Sequence, residues 1–371
     1  MSRRGKGEGS ISQRADGLWV ARIDIGSDAN GKRRRKAFYG KTKKEVATKL
    51  TNEASARING TAVDCGKMTV AELLAKWIKE SVIPNTSRST STQYERIQKL
   101  HIVPRIGQLK LSAVKPLHVQ SLLSALDSAS VGPRTRQYCY AILHRAFVVA
   151  MRWQLIVRNP CEGIDPPKVA KRPVTPLTPQ QAKNLLTISQ PNRLHAVYVL
   201  ALTTGMRQGE LFALQWADID LKAGILQVRH SLENVSGNLR LKEPKSESGK
   251  RQIALPEMAV KALWDHKAKQ LAEGLAGCPY VFPDSDGGLL RKCSFHKWSW
   301  SIVRTDAKLP GVHFHDLRHS SASLMLADGV DVKSIQMILG HSNISMTMDV
   351  YAHLMPDSQR KAAATFDRLL G

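Results

Sequence analysis

A proline- and lysine-rich stretch, RNPCEGIDPPKVAKRPVTPLTPQQ (158–181), constrains the fold of this 371-residue chain more than any other part. Proline lacks an amide hydrogen and fixes φ, so neither a helix nor a central strand runs through such a segment. A chain of this composition is expected to be extended and exposed. It separates what lies before about residue 165 from what begins near 173. Both halves are long enough for packed cores, and at about 150 residues per domain the length accommodates two or three domains.

The first half divides again. In residues 1–50 there are 14 Lys or Arg against 5 Asp or Glu. Within that basic stretch GLWVARIDIG alternates, placing Leu18, Val20, Arg22 and Asp24 on one side and Trp19, Ala21, Ile23 and Ile25 on the other. That is a strand pattern. The Asn30–Gly31 pair signals a hairpin, RRRKAFYG the return strand, GSISQR a short earlier strand, and KTKKEVATKLTNEASARI a helix. Three strands and a helix make residues 1–60 a small basic module, with Trp19 as its core anchor. Residues 61–67 read as a linker.

Beyond it, MTVAELLAKWIKESV carries Val70, Leu73, Leu74, Trp77 and Ile78 at helical spacing, with Thr69 as N-cap. Three more helices follow: STSTQYERIQKLHIVPRIG, expected to end near Pro104; KPLHVQSLLSALDS, with Pro116 near its start; and GPRTRQYCYAILHRAFVVAMRWQLI, starting after Pro133. Residues 68–165 thus read as a four-helix domain. Arg88, Arg96, Lys99, Arg134 and Arg136 on its helices are candidate phosphate contacts.

From 173 to 371 the pattern is mixed α+β. LTPQQAKNLLTI opens a helix, and LHAVYVLALTTG is an apolar helix. ILQVRHSLE, NLRLKEPK and KRQIALP read as strands of one small antiparallel sheet, and PEMAVKALWDHKAKQLA as a helix. The remainder is expected to be helical to the C-terminus. The expected fold class is therefore multidomain and mainly α. A basic three-stranded sheet with one helix comes first, then a helical domain, then an α+β domain with a small antiparallel sheet.

Charge narrows the function. Lys and Arg number 55 against 31 Asp and Glu, a formal net charge of +24. An excess of that size points to a polyanion, with nucleic acid ahead of an anionic membrane. No apolar run is long enough to span a bilayer, and the basic N-terminus lacks the apolar core of a secretory signal. Cys65, Cys139, Cys161, Cys278 and Cys293 show no C-x-x-C spacing, so neither a disulfide framework nor a zinc site is suggested. A cytoplasmic location and no cofactor are expected.

The stretch from His315 to Tyr351 concentrates the residues with chemistry: His315, Arg318, His341 and Tyr351. Upstream, TTGMRQGELFAL supplies Arg207, and the basic loop EPKSESGKRQ supplies Lys245. A phosphodiester already carries negative charge, so a catalyst must neutralise the charge that grows on phosphorus, supply a nucleophile and protonate the leaving oxygen. Two guanidiniums neutralise charge through planar bidentate forks and stay protonated at any working pH. Arg207 and Arg318 suit that task, and Glu210, three residues after Arg207 and on the same helical face, can orient it or cap a helix. His315 lies three residues before Arg318, on one helix face, and suits proton transfer or a phosphate hydrogen bond.

Together these pieces resemble the tyrosine recombinases, or phage-type integrases: T-G-M-R-Q-G-E-L at 204–211, P-K-S at 244–246, H-D-L-R-H at 315–319, L-G-H-S at 339–342 and Y-A-H at 351–353. The resemblance implies that the Tyr351 hydroxyl attacks a scissile DNA phosphate, forming a 3′-phosphotyrosine and releasing a 5′-hydroxyl, with neither metal nor ATP. It implies Lys245 as general acid, although Lys242 and Lys250 share its loop, and a phosphate hydrogen bond from His341. Residues 1–60 would bind arm-type sites, 68–165 the core site, and 173–371 would be catalytic. The implied function is site-specific integration or excision of a mobile element such as a prophage or conjugative transposon. The implied assembly is a homotetramer on two duplexes, with a possible DNA-bending or directionality factor and no membrane partner. A tail helix with Ala363, Phe366 and Leu369 would pack on a neighbouring protomer. A lone type IB topoisomerase and a non-catalytic DNA-binding regulator are the alternatives. The basic N-terminus and proline linker disfavour the first, and the six-residue set disfavours the second.

Overall fold

In the computed structural model the described residues are 9–27, 33–58, 67–170, 172, 175–243, 249–340 and 367. The chain divides into two compact units, 1–170 and 171–371, and the division falls inside the proline stretch.

The first unit opens with strands β1 (Ser10–Gln13), β2 (Trp19–Ser27) and β3 (Arg33–Gly40) in an antiparallel meander, followed by α1 (Lys43–Ile58). Alternation sets the faces. Ala21 and Ile23 of β2 are buried with Val46 and Leu50 of α1, while Trp19 and Phe38 pack at the edge of that cluster. The odd residues of β3 and the even residues of β2 share the opposite face through the pairings Arg22↔Ala37 and Asp24↔Arg35. That face carries Arg22, Arg35 and Tyr39, all exposed. The expected Asn30–Gly31 hairpin and most of the 61–67 linker lie outside the described residues.

The helical part begins with α2 (Val70–Trp77), which runs through a π turn (Ile78–Val82) into α3 (Ile83–Asn85). Thr69 caps it as expected: its hydroxyl accepts the Glu72 amide at 3.3 Å and the Glu72 carboxylate accepts the Thr69 amide at 2.8 Å. Next come α4 (Arg88–Ile97), a second π turn (Gln98–Ile102) and α5 (Val103–Ile106). The helix ends at Ile106, near Pro104 as expected. Both Pro84 and Pro104 follow a π turn, whose wider winding relieves the clash between a proline ring and the preceding turn and uses no amide at that position. Helices α6 (Pro116–Ser128) and α7 (Pro133–Arg152) each start with proline at the first position, where no intrahelical amide is needed. One apolar core joins α2, α4, α6 and α7. It includes Leu73, Leu74, Leu122, Ile142 and Phe147, and Trp77 stacks on Tyr94 with ring centroids 5.8 Å apart. Arg136 is tied to Asp127 at 2.7 Å and Arg134 lies over the Tyr138 ring, whereas Arg88, Arg96 and Lys99 face solvent.

The described residues of the proline stretch turn at 160–163 and form no helix or strand before Pro179, and the ends of the stretch are not free. Asn159 and Cys161 are buried, and the Tyr140 hydroxyl bonds the carbonyl of Ile164. At the other end Leu177 is buried in the second unit and donates its amide to the Ser320 hydroxyl.

The second unit comprises α8 (Pro179–Ser189), α9 (His195–Thr204), α10 (Gln208–Leu211), five short strands, and α11 (Glu257–Ala272), α12 (Lys292–Phe295), α13 (Ser301–Asp306), α14 (Asp316–Ala327) and α15 (Val332–Leu339). Helix α9 is apolar nearly all round, with Ala196 through Leu202 buried, so it is the axis on which the others pack. The single expected sheet is instead two. Strands β4 (Ile219–Asp220), β5 (Ile225–Val228) and β8 (Arg251–Ala254) form one, and β6 (Ser231–Val235) and β7 (Asn238–Lys242) form a separate hairpin. The run ILQVRHSLE is interrupted at Arg229–His230, between β5 and β6. Residues 276–291 are not helical as expected: Asp284 accepts the amides of Asp286 and Gly288 and turns the chain, and Pro283 bridges Leu289. No helix among the described residues is long and apolar enough to cross a membrane.

Phe147 is fully buried at the centre of the helical core. Phe147→Ala is expected to destabilise the first unit by about 3–5 kcal/mol. Urea unfolding of the full chain, followed by circular dichroism, should show an early transition absent from the wild type.

Candidate active site

Arg207 stands at the N-cap of α10 with extended backbone (φ −69°, ψ 146°). It is therefore not on a helical face with Glu210, as the i+3 spacing suggested. The carboxylate does both jobs considered for it. Glu210 Oε2 accepts the Arg207 amide at 2.9 Å, closing the turn, and Oε1 accepts Arg207 Nη1 at 2.8 Å, fixing the guanidinium. Glu210 is buried. Burial alone would raise its pKa, but Arg251 and Arg207 outweigh that and hold the carboxyl below its usual range. The residue is therefore an anion at neutral pH.

Arg318 lies one turn into α14 and is buried. Its Nη1 donates to the Gly205 carbonyl and its Nη2 to the Leu339 carbonyl, each at 2.7 Å. Gly205 ends α9 in the left-handed region (φ 59°). A Cβ there would sit 2.4 Å from Leu339 Cδ2, so no other residue admits this approach of α9 to α15. Small side chains do the same for α14, where Ser320, Ser321, Ala322 and Ser323 are all buried and Ser321 lies beside Gly205.

Arg251, the first residue of β8, was not among the residues singled out from sequence. It is buried, with its Nη2 on Glu210 Oε2 at 2.9 Å and its Nε on the Ile338 carbonyl at 2.6 Å. Arg207 Nη2 reaches the Gly340 carbonyl at 3.1 Å. The last three carbonyls of α15 and its cap, 338, 339 and 340, are thus each held by a different arginine. These are the orphan acceptors at the negative end of a helix, where cations are favoured. The only signal for Arg251 in the sequence is an arginine opening a strand after a basic loop, which is not specific.

His315 caps the N-terminus of α14 with helical backbone, and its carbonyl accepts the Arg318 amide at 3.2 Å. One side of the ring is open to solvent. Partial desolvation, then the neighbouring His319, Arg318 and Arg207, push its pKa down to about 4, against a smaller upward pull from Asp316. Its ring lies edge-on to His319 at 5.4 Å. Asp316 is buried beneath, accepting the His313 amide at 2.7 Å and Arg172 Nη2 at 2.9 Å.

The described site thus gathers Arg207, Arg251 and Arg318 at the end of α15, with His315 beside Arg318 and Arg207. Arg207 and Arg251 share the buried carboxylate of Glu210 and Arg318 donates to two carbonyls, so the site favours a further anion with planar or tetrahedral oxygens. Of the six residues singled out, the structure brings Arg207, His315 and Arg318 together. Lys245, His341 and Tyr351 lie outside the described residues, as does the expected tail helix. Gly340, the residue before His341, is within the cluster, and Glu243 and Gly249 flank the loop that holds Lys245.

A mainly helical unit with an arginine-lined anion site of this make is suited to a phosphodiester. Residues 176–357 match the phage integrase family, and residues 69–126 match the N-terminal SAM-like domain of phage integrases. The chain belongs to this family, that of the tyrosine recombinases. It is 29% identical to a tyrosine recombinase XerC-like protein of Caldanaerobacter subterraneus, over 94% of this chain and 95% of that one. It is 25% identical to the transposase of transposon Tn916 from Enterococcus faecalis, over 79% and 76%. Among solved structures it resembles the Tn1549 transposon integrase in complex with a circular intermediate DNA. That likeness has a TM-score of 0.69 and 25% identity, and covers 81% of this chain and 99% of that one.

Because the folded pKa of His315 lies below the ordinary value of 6.5, its ring is neutral in the free protein at neutral pH. Acid favours the unfolded chain between about 6.5 and 4, where only the unfolded ring is protonated. Ring-carbon NMR of the free protein should therefore show a His315 midpoint near 4. A midpoint at or above the ordinary value would contradict the site as described.

Proposed function

We propose that this tyrosine recombinase cleaves and rejoins duplex DNA at the arginine cluster, with Tyr351 as nucleophile. The observation that carries the reading is the convergence of Arg207 and Arg318 on the end of α15, with His315 beside both and Glu210 orienting Arg207. In this reading Arg207 and Arg318 bind the non-bridging oxygens of the scissile phosphate and stabilise the charge that grows there. Such preorganised donors contribute roughly 10²–10³ in rate each. The tyrosine oxygen forms a bond to phosphorus as the bond to the 5′-oxygen breaks. Lys245 gives that oxygen its proton, and His315 and His341 hold the phosphate by hydrogen bonds. The 3′-phosphotyrosine conserves the bond energy, so a 5′-hydroxyl from a partner strand reverses the step.

The same reading divides the chain by task. Residues 1–60 bind arm-type sites through the basic face of Arg22, Arg35 and Tyr39. Residues 68–165 hold the core duplex, and 173–371 carry the chemistry. One tyrosine per cut strand, with two strands in each of two duplexes, calls for a homotetramer. The 94% coverage of an XerC-like recombinase and the DNA complex of the Tn1549 integrase support this assignment, and integration or excision of a mobile element is the biological role it serves. The reaction takes place on bacterial DNA in the cytoplasm.

A core-site duplex nicked near the cleavage point traps the covalent intermediate. Wild-type protein should form adducts on it, and Tyr351→Phe should form none while binding the duplex as before; adducts that persist in the variant would refute the nucleophile. Removing residues 1–60 should weaken binding to distal arm sites at least tenfold more than to the core, because the lost avidity belongs to the linked module. An equal loss at both sites would argue against an arm-type role.

A further inference from the structure

We infer that Arg251 is a positioning residue that fixes the orientation of Arg207 from both sides, an inference that rests on the catalytic reading of Arg207 given above. Two routes lead from one guanidinium to the other. Through Arg251 Nη2 the first runs to Glu210 Oε2, and the other oxygen of that carboxylate holds Arg207 Nη1. Through Arg251 Nε the second runs to the carbonyl of Ile338, and two residues on, the Gly340 carbonyl holds Arg207 Nη2. The hydrogen bonds and the short backbone step between 338 and 340 close a ring. Arg207 is thus gripped at one terminal nitrogen by a carboxylate that Arg251 itself holds, and at the other by a carbonyl two residues along the helix end from the one that Arg251 holds.

Exposure separates the two arginines. The Arg207 side chain is 40% exposed and open to a ligand, whereas that of Arg251 is 6% exposed and its three nitrogens all have acceptors, the third being the Gly249 carbonyl. Arg251 is therefore not placed to touch a DNA phosphate. Its geometry also needs a guanidinium. A carboxylate oxygen and a helix-end carbonyl lie in different directions, and the planar fork serves both at once, which a single ammonium does not. Without Arg251, Glu210 would keep its bonds to Arg207 but lose the partner that stops its carboxylate from rotating. The end of α15 would lose one of its three cationic caps. A loosened Arg207 would still attract DNA, but it would no longer present its donors where charge develops in the transition state.

The test exploits that charge. Replacing one non-bridging oxygen of the scissile phosphate by methyl makes the phosphate neutral and lowers the demand for a guanidinium. A defect acting through Arg207 then shrinks, whereas a defect of folding or of DNA binding does not. Single-turnover cleavage of nicked core duplexes would be measured for wild type, Arg207→Ala, Arg251→Met and the double variant, with phosphate or methylphosphonate at the scissile position. On the natural phosphate Arg251→Met should cleave about 10²-fold more slowly, with core-duplex Kd within about threefold of wild type, as expected for lost transition-state binding. On methylphosphonate its deficit should fall below about 10-fold, and the double variant should be no slower than Arg207→Ala alone, since coupled residues are not additive. Equal deficits on both substrates, an additive double variant, or cleavage at the wild-type rate would each overturn the inference. Should Arg251→Met fail to fold, Arg251→Lys, which keeps a cation opposite Glu210, replaces it: a smaller deficit with the same substrate dependence supports positioning, and one indifferent to the methyl group rejects it. Failure of the underlying reading is seen separately, as adducts that survive Tyr351→Phe whatever the Arg251 variants do.

Discussion

The second unit depends on one arrangement: the carbonyls of Ile338, Leu339 and Gly340 held by Arg251, Arg318 and Arg207. A helix end has acceptors that no residue of its own can satisfy, and here guanidiniums take three of them. Each guanidinium comes from a different part of the chain, the start of β8, the first turn of α14 and the N-cap of α10. The end of α15 is therefore the point at which three separate elements are brought into register. Like charges gathered this closely repel. The negative end of the helix and the carboxylate of Glu210 offset that repulsion only in part. What remains is a site short of negative charge, and this deficit suits it to an anionic ligand.

The packing around that point follows from small residues as much as from large ones. Helix α9 is apolar on every side and ends at Gly205, whose left-handed backbone turns its carbonyl toward Arg318. The absent Cβ of Gly205 leaves room for Leu339, and the small buried residues of α14 allow that helix to lie close against α9. Leu339 is itself buried with Ile335 and Ala322, so the apolar contact and the arginine contacts fix the same helix end. Gly209 plays the matching part beside β6, where a Cβ would come within 2.7 Å of the Ser231 hydroxyl. The motif T-T-G-M-R-Q-G-E-L thus contains two residues chosen for what they lack and two, Arg207 and Glu210, chosen for charge.

Much of this was legible in the sequence because the signals were local. The capping box at Thr69 and Glu72, the prolines opening α6 and α7, the alternation of β2 and the i, i+3 and i+4 apolar spacing of α2 each act within one turn or one strand. Their physics needs no knowledge of distant neighbours. One misreading is local: the stretch 276–291 was expected to be helical, but Asp284 turns the chain there by accepting the amides of Asp286 and Gly288. The others have the opposite character. The run ILQVRHSLE reads as one strand, and only the pairing of β5 with β8, and of β6 with β7, separates it at Arg229–His230. Arg251 was not legible for the same reason: its partners lie 41 and 87 residues away, and nothing in its immediate surroundings distinguishes it from other arginines of the basic loop. Arg207, His315 and Arg318 were found through the company they keep in the sequence, not through any local rule.

The neutral state of His315 follows from the same charge deficit and gives it direction. Desolvation and the surrounding cations disfavour a proton on the ring, so the free site carries its positive charge on arginines alone. An arriving phosphate reverses the balance, because the anion stabilises an imidazolium that the cations had excluded. Binding of the substrate and protonation of His315 are then linked: each favours the other by the same free energy.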